Sequence, residues 1–580
     1  MRATAGGPDI FRATAAGPGK TPAWLLRWTE GGALAWILAA VLLLHLPGLG
    51  WGIPGPDGWD DDGVAPRDFL VGVVQTYQPG EFFRYPPVHL LLLSFVTLPI
   101  WLVGVLKATA LTPQALVHEF IQPPYMTMFA VIARLVTVLM SLGVVALMAR
   151  LGEEVYDRRT GLFVAIVVGL NTPFTYYSQT SNLEVPYLFW SLFALVELAR
   201  TIVRHEPGRL PTVGLLAALA VGTKDQAAAL LFCIPLALAG WFVLDPWPRN
   251  ESRRVLGKLA RAALIALSSL ALLDGALVNP HGFAARIRFL LGSGSQDHAL
   301  YPDSWAGYAG VLGDSLLSFG SFYPWPFLLL IVWGLLLHLG QRRPGNQLVA
   351  GLLPLLAALS LTLAFNCLVR RTEHRFLLPQ TMLLGFYAGL AVSRLVTLNR
   401  QAAMVVLAPL GAWALFNCLA VDANLLRDPR YDAEAWLQAH VRPGEVIEVY
   451  GNQVYWPRLP AWARVVRVDD TTVESRSALL EVTEIRAPYQ DASQRRPRWI
   501  VVSEVFSSRY RSQRTKLAAG YRRDSAAREY FQQLERGQAG YRVAHVSRFD
   551  SRVWPRVQIH ASTGNNIWIF ERLVSGQPAP

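Results

Sequence analysis

The stretch that decides the fold is "MTMFAVIARLVTVLMSLGVVALMA", residues 126–149, which contains a single ionisable residue, Arg134. A helix needs about 20 consecutive apolar residues to cross the hydrocarbon core of a bilayer, so this run predicts a transmembrane helix. With 52% hydrophobic and 16% charged residues, the whole chain has the composition of a polytopic α-helical membrane protein with about eleven transmembrane helices. The other ten predicted spans are 32–50, 161–180, 184–203, 210–223, 226–244, 259–279, 325–340, 347–368, 376–394 and 402–420.

Five groups of basic residues lie between the predicted spans, all on one side of the membrane. Cytoplasmic loops carry an excess of Lys and Arg, so we assign this side to the cytoplasm, together with the flexible tail 1–30. The formal net charge of +12 is therefore interpreted as topology and not as binding of nucleic acid. The groups are Arg150, Arg158 and Arg159; Arg200, Arg204 and Arg209; Arg249, Arg253, Arg254, Lys258 and Arg261; Arg342 and Arg343; Arg394 and Arg400.

This orientation divides the chain into a tail, 1–30, a transmembrane domain, 31–421, and a C-terminal domain, 422–580. It predicts a multi-pass protein of the cell membrane with a cytoplasmic N-terminus. The segments placed on the extracytoplasmic side are the outer loops 51–125 and 280–324, the short turns 181–183, 224–225 and 369–375, and everything after 421.

One apolar segment, "VHLLLLSFVTLPIWLVGVLK" at 88–107, is long enough to span but is predicted not to do so. A single crossing here would place every later basic loop outside. We therefore expect it to lie along the outer interface or to re-enter the membrane.

After residue 421 the apolar runs shorten and charge density rises, which predicts a soluble α/β domain. Strand candidates are "RWIVVSEVF" at 498–506 and "NIWIFER" at 566–572, with an arginine-rich helical stretch between them. Neither this domain nor the rest of the chain carries a nucleotide-binding glycine fingerprint, which argues against an ATP-driven transporter.

Three successive aspartates, Asp60, Asp61 and Asp62, stand in "WDDDGVAPRD" in the first outer loop. Adjacent carboxylates repel one another, which raises some of their pKa values or recruits a cation. Such acids serve as proton acceptors or, for Asp61 and Asp62, as ligands of a divalent metal ion. A solvated turn is the alternative, because Asp and Gly favour turns. Candidate substrate-binding residues follow in "FRYPPVH", namely Arg84, Tyr85 and His89.

Cations on the same side predict a phosphate site at the membrane boundary. Lys224 stands in "GTKDQ", and His374 and Arg375 stand in "VRRTEHRF". Arginine binds phosphate through two parallel hydrogen bonds and lysine as a point charge, so both suit a lipid phosphate. Anchoring to lipid headgroups is the alternative for residues 370–375.

A polar turn, "YYSQTSNLEVPYLFW" at 176–190, carries Glu184 and is either a hydrogen-bonded hairpin or a substrate contact. Arg134, inside an apolar span, is costly there unless it is paired or functional. We expect it to pair with Glu184 or an acid of the first loop, or to bind the phosphate.

These segments, in this order, resemble the GT-C class of integral-membrane glycosyltransferases, in particular the branch of protein O-mannosyltransferases and bacterial lipid A aminoarabinose transferases. The resemblance covers roughly residues 30–400. It implies a polyprenyl-phosphate-linked sugar as donor, inverting transfer on the extracytoplasmic face, and an outer-loop acid as general base or metal ligand. The stretches that carry it are the acidic motif, "YPP", "RLGEEVYDRRTGL", "TPFTYYSQTSNLEVPYLFW", "GLLAALAVGTKDQ" and "RFLLP".

The sequence departs from this pattern at one place, because Asp62-Gly63 stands where the family usually has Asp-Glu. Asp61 or Asp60 compensates, or the metal site is weakened, or one carboxylate suffices; we expect Asp62 to be the base. The acceptor is a glycan, lipid or protein. The loop 281–323 is a lid or a static structural loop. Alternative functions are a transporter or flippase of a lipid-linked sugar, and a non-catalytic relative whose outer domain binds a partner.

Overall fold

The computed structural model describes residues 32–55, 58–60, 62–66, 68–245, 249–469, 482–511, 525–560 and 563–573. The predicted tail 1–30 and Asp61 lie outside the described residues. The structure is a bundle of helices followed by one mixed sheet. The helices before the sheet are Ala33–His45, Asp68–Tyr77, Val88–Val96, Leu98–Lys107, Pro113–Phe120, Pro123–Val155, Arg158–Gly169, Thr172–Ser178, Glu184–Arg204, Leu210–Val221, Gln226–Leu231, Cys233–Leu244, Arg249–Leu273, Pro280–Leu291, Ser293–Gln296, Trp305–Leu317, Pro326–Gly340, Gly345–Leu361, Cys367–Val369, His374–Leu398, Arg400–Leu426 and Pro429–His440.

Eight helical segments in the described part of the chain are long and apolar enough to cross a membrane, or up to ten if each of two bent pairs counts as one span. The chain is therefore a multi-pass α-helical membrane protein, as the sequence predicted. All eight coincide with predicted spans; they are Ala33–Gly50, Pro123–Val155, Glu184–Arg204, Gln226–Leu244, Ser252–Leu273, Gly345–Val369, His374–Leu398 and Arg400–His440.

The other three predicted spans are helical but shorter than the expected segments. The segment 161–180 is interrupted at Asn171, whose side chain accepts a hydrogen bond from the backbone N–H of Phe174 at 3.1 Å and so starts a new helix. Pro173 occupies the first turn of that helix, where a missing N–H costs nothing. Both pieces pack inside the bundle, and protein therefore surrounds most of their length.

The apolar segment 88–107 forms two helices, Val88–Val96 and Leu98–Lys107, bent by 59°. Pro99 stands in the first turn of the second helix, where it cannot donate a hydrogen bond back to the first. The geometry is that of a broken span or a re-entrant segment, and the expectation that 88–107 does not cross the membrane stays a prediction.

The C-terminal part forms a six-stranded sheet in the order β3-β2-β1-β4-β6-β5. Strands β1 to β4 pair in parallel, whereas β6 runs antiparallel to both β4 and β5. The predicted strands 498–506 and 566–572 contain β4 and β6. The strands are β1, Val446–Tyr450; β2, Arg464–Asp469; β3, Val482–Arg486; β4, Trp499–Ser503; β5, Tyr541–Ser547; and β6, Ile567–Arg572. The helices Ala492–Arg495, Glu504–Arg511 and Ser525–Glu535 complete this part.

Arg430, at the start of helix Pro429–His440, connects this helix, which precedes the sheet, to the loop that follows the first helix. Its guanidinium lies 4.2 Å from the ring centroid of Trp59, and it donates to both carboxylate oxygens of Asp428. Asp428 in turn accepts a hydrogen bond from the Trp51 indole at 3.0 Å. A buried cation stacked on aromatic rings and paired with an acid stabilises the loop at Trp51 and Trp59, directly before Asp60.

Candidate active site

Asp60 is buried beneath the loop and 6% exposed. Its carboxylate accepts hydrogen bonds from the Tyr176 hydroxyl at 3.3 Å, the Asn182 amide at 3.4 Å and the backbone N–H of Asp62 at 3.3 Å. Burial raises the pKa of Asp60 above its ordinary value, although the nearby His560 opposes this shift. Both Tyr176 and Asn182 belong to the polar turn that the sequence singled out around Glu184, which therefore supports the acidic loop.

Asp62 is held between Arg375 and His560. Its Oδ1 lies 2.5 Å from Nη1 of Arg375, and its Oδ2 accepts a hydrogen bond from Nε2 of His560 at 2.7 Å. Burial acts to raise the pKa of Asp62, but the charge of Arg375 and the hydrogen bond from His560 outweigh it and hold the pKa well below the ordinary value. Asp62 is therefore ionised throughout the physiological range.

The two aspartates have pKa values shifted in opposite directions although one residue separates them. Such divergence is typical of sites in which neighbouring carboxyl groups have different chemical tasks. Asp60 has the environment of a group that takes up a proton readily, and Asp62 that of a permanent negative charge with some access to solvent.

Gly63 explains the missing second acid. A Cβ atom on Gly63 would lie 3.0 Å from Oδ2 of Asp60 and 2.9 Å from the hydroxyl of Ser181. These contacts leave no room for a glutamate side chain unless Asp60 moves. The carboxylate of Asp60 thus lies beside residue 63; that it compensates for the second acid stays a prediction.

Lys224 pairs with Glu184 at the opposite wall of the site. The carboxylate of Glu184 is fully buried and its Oε1 contacts Nζ of Lys224. The ammonium also lies 5.6 Å from the ring centroid of Tyr187 and 5.9 Å from that of Phe376. Burial lowers the pKa of Lys224, whereas Glu184 acts to raise it. Oε2 of Glu184 and the hydroxyl of Tyr187 are buried without a hydrogen-bond partner among the described residues, so this wall offers unsatisfied polar groups.

Arg375 reaches Asp62 from the first turn of helix His374–Leu398. Its Nε donates to Oε2 of Glu373 at 2.9 Å, and its guanidinium lies 4.6 Å from the ring centroid of Phe376. The ring of its neighbour His374 packs 5.5 Å from that of Phe322. The structure brings the predicted Asp62 and Arg375 into direct contact, and Phe376, over which Lys224 also lies, connects Arg375 to the Lys224 wall.

Arg134 lies under the acidic loop and is 2% exposed. Its Nη1 donates to the backbone carbonyls of Leu49 at 2.6 Å and Trp51 at 2.8 Å. Its charge also acts on Asp60. In this position it stabilises the turn that leads out of the first helix; its predicted role in phosphate binding stays a prediction.

The three candidates in "FRYPPVH" have different surroundings. Arg84 is exposed and lies 5.6 Å from the ring centroid of Tyr85. Burial raises the pKa of Tyr85, with a smaller contribution from Asp62, so its phenol is close to the acidic loop. His89 is 1% exposed, and neither ring nitrogen has a hydrogen-bond partner among the described residues. Only Tyr85 of these three is placed beside the charged groups described above.

The loop 281–323 is largely helical, with helices at Pro280–Leu291 and Trp305–Leu317. It is attached to the turn before Arg375, because the backbone N–H of Leu300 donates to the carbonyl of Arg370 at 2.9 Å and Asp303 lies 3.1 Å from the Arg370 guanidinium. These contacts agree better with a structural element than with the lid that its Gly-Ser centre suggested.

Two residues of the site were missed by the sequence analysis. His560 comes from the C-terminal part and lies 498 residues from Asp62 in sequence. Tyr177 stands inside a quoted motif, and its buried hydroxyl has no hydrogen-bond partner among the described residues. Burial raises the pKa of Tyr177 well above its ordinary value, with contributions from Glu184, Arg375 and Asp62. Adjacent tyrosines before a polar turn were the available signal for Tyr177; no local pattern marks His560.

The described residues do not fit the divalent metal that the sequence suggested. Among them, no group of three or more His, Cys, Asp or Glu side chains could hold a metal ion. Both oxygens of Asp62 are already engaged, one by the Arg375 guanidinium and the other by His560. Asp61, the second proposed ligand, lies outside the described residues.

No protein-family model matches the chain, and no curated protein sequence matches it either. Several solved structures are similar in fold. The chain is 14% identical to ArnT from Cupriavidus metallidurans bound to undecaprenyl phosphate, with a TM-score of 0.45 over 83% of this chain and 94% of that one. It is 13% identical to the Archaeoglobus fulgidus oligosaccharyltransferase in complex with Zn and sulfate, with a TM-score of 0.42 over 81% of this chain and 68% of that one. It is 15% identical to the arabinofuranosyltransferase AftD from Mycobacteria, with a TM-score of 0.40 over 93% of this chain and 41% of that one.

At TM-scores below 0.5 these similarities assign no activity to this chain. Function is inferred below from the geometry of the site.

Proposed function

We propose that the chain is a membrane glycosyltransferase that moves a sugar from a polyprenyl-phosphate-linked donor to an acceptor, with inversion, on the extracytoplasmic face. The observation that carries the proposal is the contact of Asp62 with Arg375 at the start of an apolar helix. It combines an acid able to handle a proton with a cation able to hold a phosphate. Lys224, buried against the same helix at Phe376, supplies a second cation.

An amphiphilic donor suits this arrangement. An isoprenoid tail gains free energy among apolar helices, while an anionic phosphate needs cations at the boundary. Arg375 offers a planar fork for two parallel hydrogen bonds and Lys224 a point charge. The unsatisfied hydroxyls of Tyr177 and Tyr187 and the free Oε2 of Glu184 are suited to a polar sugar headgroup.

Donor binding would also activate the base. While Arg375 pairs with Asp62, the pKa of Asp62 is too low for efficient proton uptake. A phosphate that pairs with Arg375 weakens this contact and adds a negative charge nearby, and both effects raise the pKa of Asp62. The carboxylate therefore becomes a better proton acceptor only when a donor is present.

The step itself is a single displacement. The acceptor oxygen forms a bond to the anomeric carbon from the face opposite the phosphate. The bond between that carbon and the phosphate oxygen breaks, and its electron pair stays on the polyprenyl phosphate, where Arg375 and Lys224 stabilise the charge. The acceptor's proton goes to Asp62, with Asp60 as its buried neighbour; general-base assistance typically contributes about 10²- to 10⁴-fold.

The proposal includes the sidedness inferred from the basic loops, with the C-terminal domain 422–580 and the site outside the membrane and residues 1–30 in the cytoplasm. The acceptor is a glycan, a lipid or a protein. No step of the proposed reaction depends on a divalent metal.

The test is transfer of radiolabelled sugar from a panel of polyprenyl-phosphate donors, in membranes that contain wild-type protein, Asp62→Asn or Asp245→Asn at equal expression. Asp245 is a matched control, because it also pairs with a histidine, His205 at 2.6 Å, but belongs to a different cluster. We expect wild type and Asp245→Asn to transfer label and Asp62→Asn to lose at least about 10²-fold.

Two results would count against the proposal. If wild type leaves every donor intact but moves labelled lipid across the bilayer, the transporter alternative replaces it. If Asp62→Asn transfers label as well as wild type, Asp62 is not the general base and the proposed mechanism is overturned.

A further inference from the structure

The chain between β5 and β6 leaves the sheet and crosses the membrane helices; we call its described residues 548–560 the arm. Its first contact with the bundle is the ring of Trp554, which stacks on that of Phe416 at 5.2 Å and 18°. Phe416 belongs to helix Arg400–Leu426, one of the apolar spans. The arm therefore contacts a membrane span as well as the sheet, where the Arg548 guanidinium lies 5.9 Å from the ring centroid of Trp568.

Asn424 then clamps the arm from the same helix. Its amide nitrogen donates to the carbonyl of Pro555 at 2.9 Å, and its Oδ1 accepts from the backbone N–H of Val557 at 3.1 Å. Asn424 is 2% exposed and both hydrogen bonds are partly buried, so losing them has a cost in free energy. Two residues further on, Ile559 is 6% exposed and belongs to the apolar core of the bundle.

The arm ends at His560, which contacts the acidic loop at Asp62. Nε2 of His560 lies 2.7 Å from Oδ2 of Asp62, and its ring is parallel to that of Tyr176 with centroids 6.5 Å apart. Because ionised Asp62 can only accept hydrogen bonds, Nε2 is assigned as the donor. Tyr176 in turn donates to Asp60, so one stacked pair of rings contacts both aspartates.

We infer that His560 is a positioning residue for glycosyl transfer, delivered to the site by the C-terminal domain through the arm. It fixes Oδ2 of Asp62, which leaves Oδ1 facing Arg375. When a donor phosphate engages Arg375, Oδ1 is released from that contact while His560 keeps Oδ2 in place. The inference rests on the proposed function and adds to it a residue that the transmembrane part alone does not contain.

The experiment compares kcat and donor KM of wild type, His560→Ala, His560→Gln and Asn424→Leu, with Arg552→Ala as the control. Arg552 lies on the arm with its side chain 89% exposed. We expect His560→Ala to lower kcat by about 10- to 100-fold, the usual result of misplacing a reacting group, with donor KM changed by less than about threefold. Glutamine can donate from a nitrogen close to the place of Nε2, so His560→Gln should recover most of kcat.

Asn424→Leu should reproduce the loss of His560→Ala, because it removes both clamps, and the double variant should be no worse than either single one. Independently of transfer, hydrogen exchange of the backbone at 554–560 should rise in Asn424→Leu and in Asp62→Asn but not in Arg552→Ala.

The positioning role would be overturned if the kcat of His560→Ala equalled that of wild type. It would also be overturned if His560→Gln were as slow as His560→Ala. Unchanged hydrogen exchange in Asn424→Leu would overturn the docking of the arm. If wild type transfers sugar and His560→Ala has the same kcat, only this inference fails. If wild type transfers sugar from no donor, the proposed function fails. The hydrogen-exchange measurement then still shows whether the arm is docked on the helices.

Discussion

Nη1 of Arg375 lies 2.5 Å from Oδ1 of Asp62, and the same guanidinium is held from behind by Glu373 at 2.9 Å. Arg375 is therefore shared between two carboxylates. A phosphate that enters the site would compete with Asp62 for the guanidinium while Glu373 keeps it in place. Under the proposed function, donor binding and activation of the acid are therefore coupled, and variants of either partner should affect both.

Arg375→Lys should weaken donor binding, because an ammonium cannot form two parallel hydrogen bonds with a phosphate and with Glu373 at once. We expect donor KM to rise about tenfold, equivalent to about 1.4 kcal/mol. Steady-state kinetics with a fixed acceptor would measure it. Arg288→Lys, in which the replaced side chain is exposed and bonds only its own helix at Ala284, serves as the control; an unchanged KM in Arg375→Lys would remove Arg375 from the phosphate site.

Lys224→Met should destabilise the protein, because it leaves the fully buried Glu184 charged and alone. Breaking one side of a buried pair costs about 3–5 kcal/mol. The double variant Lys224→Met/Glu184→Gln should regain most of this stability, since the uncompensated charge is gone. Thermal unfolding of the purified proteins would measure these stabilities. A double variant less stable than Lys224→Met would show that Lys224 does not stabilise the protein through its pair with Glu184. Sugar transfer should stay low in both.

Gly63→Ala should lower kcat, because the added methyl group would press on Asp60 and Ser181. Gly50→Ala is the control, because a Cβ there meets nothing within 4 Å. We expect a loss of about tenfold or more for Gly63→Ala in the transfer assay, consistent with a small displacement of reacting groups. Equal rates in the two variants would mean that Asp60 has room to move.

Stability should depend on pH through Asp62 in a definite direction. Its pKa in the folded protein is lowered, so its contribution is fully present above its unfolded pKa of about 3.9 and is lost as pH falls through the folded value. The Tm difference between wild type and Asp62→Asn should therefore be largest at neutral pH and shrink below about pH 4. A difference that grows towards acid would contradict the assigned direction.

Asp60 should have the opposite effect. Its pKa is raised by burial, so the folded state binds more protons than the unfolded state, and wild type loses stability as pH rises from about 4 through the folded value. Asp60→Asn lacks this loss. Its Tm relative to wild type should rise with pH over the same interval, and a constant difference would show that Asp60 keeps an ordinary pKa.

The parts of the fold that depend on local pattern were predicted well. Eight spans and two strands follow from hydropathy runs and alternation that any single segment displays. The segment 161–180 shows the limit of this reasoning. Its hydropathy is that of a span, but Asn171 and Pro173 start a new helix within it, and surrounding protein takes the place of lipid.

The site was predicted in part for the same reason. Asp62, Arg375 and Lys224 could be placed on one side of the membrane from the basic loops, and Asp62 and Arg375 are in contact. The pairing of Lys224 with Glu184 joins two turns that the sequence had kept separate. His560 could not have been found, because its position depends on the path of the arm across a helix, which no local pattern encodes.

The arm has a consequence for the biosynthesis of the protein. Asp62 and His560 are 498 residues apart, and all eight apolar spans lie between them or before them. At about 5–20 residues per second, the ribosome completes His560 roughly 25–100 s after Asp62. All eight apolar spans have therefore been synthesised before His560 is available to contact Asp62. A nascent chain that is inserted in the membrane but does not yet include His560 lacks the side chain that contacts Oδ2 of Asp62.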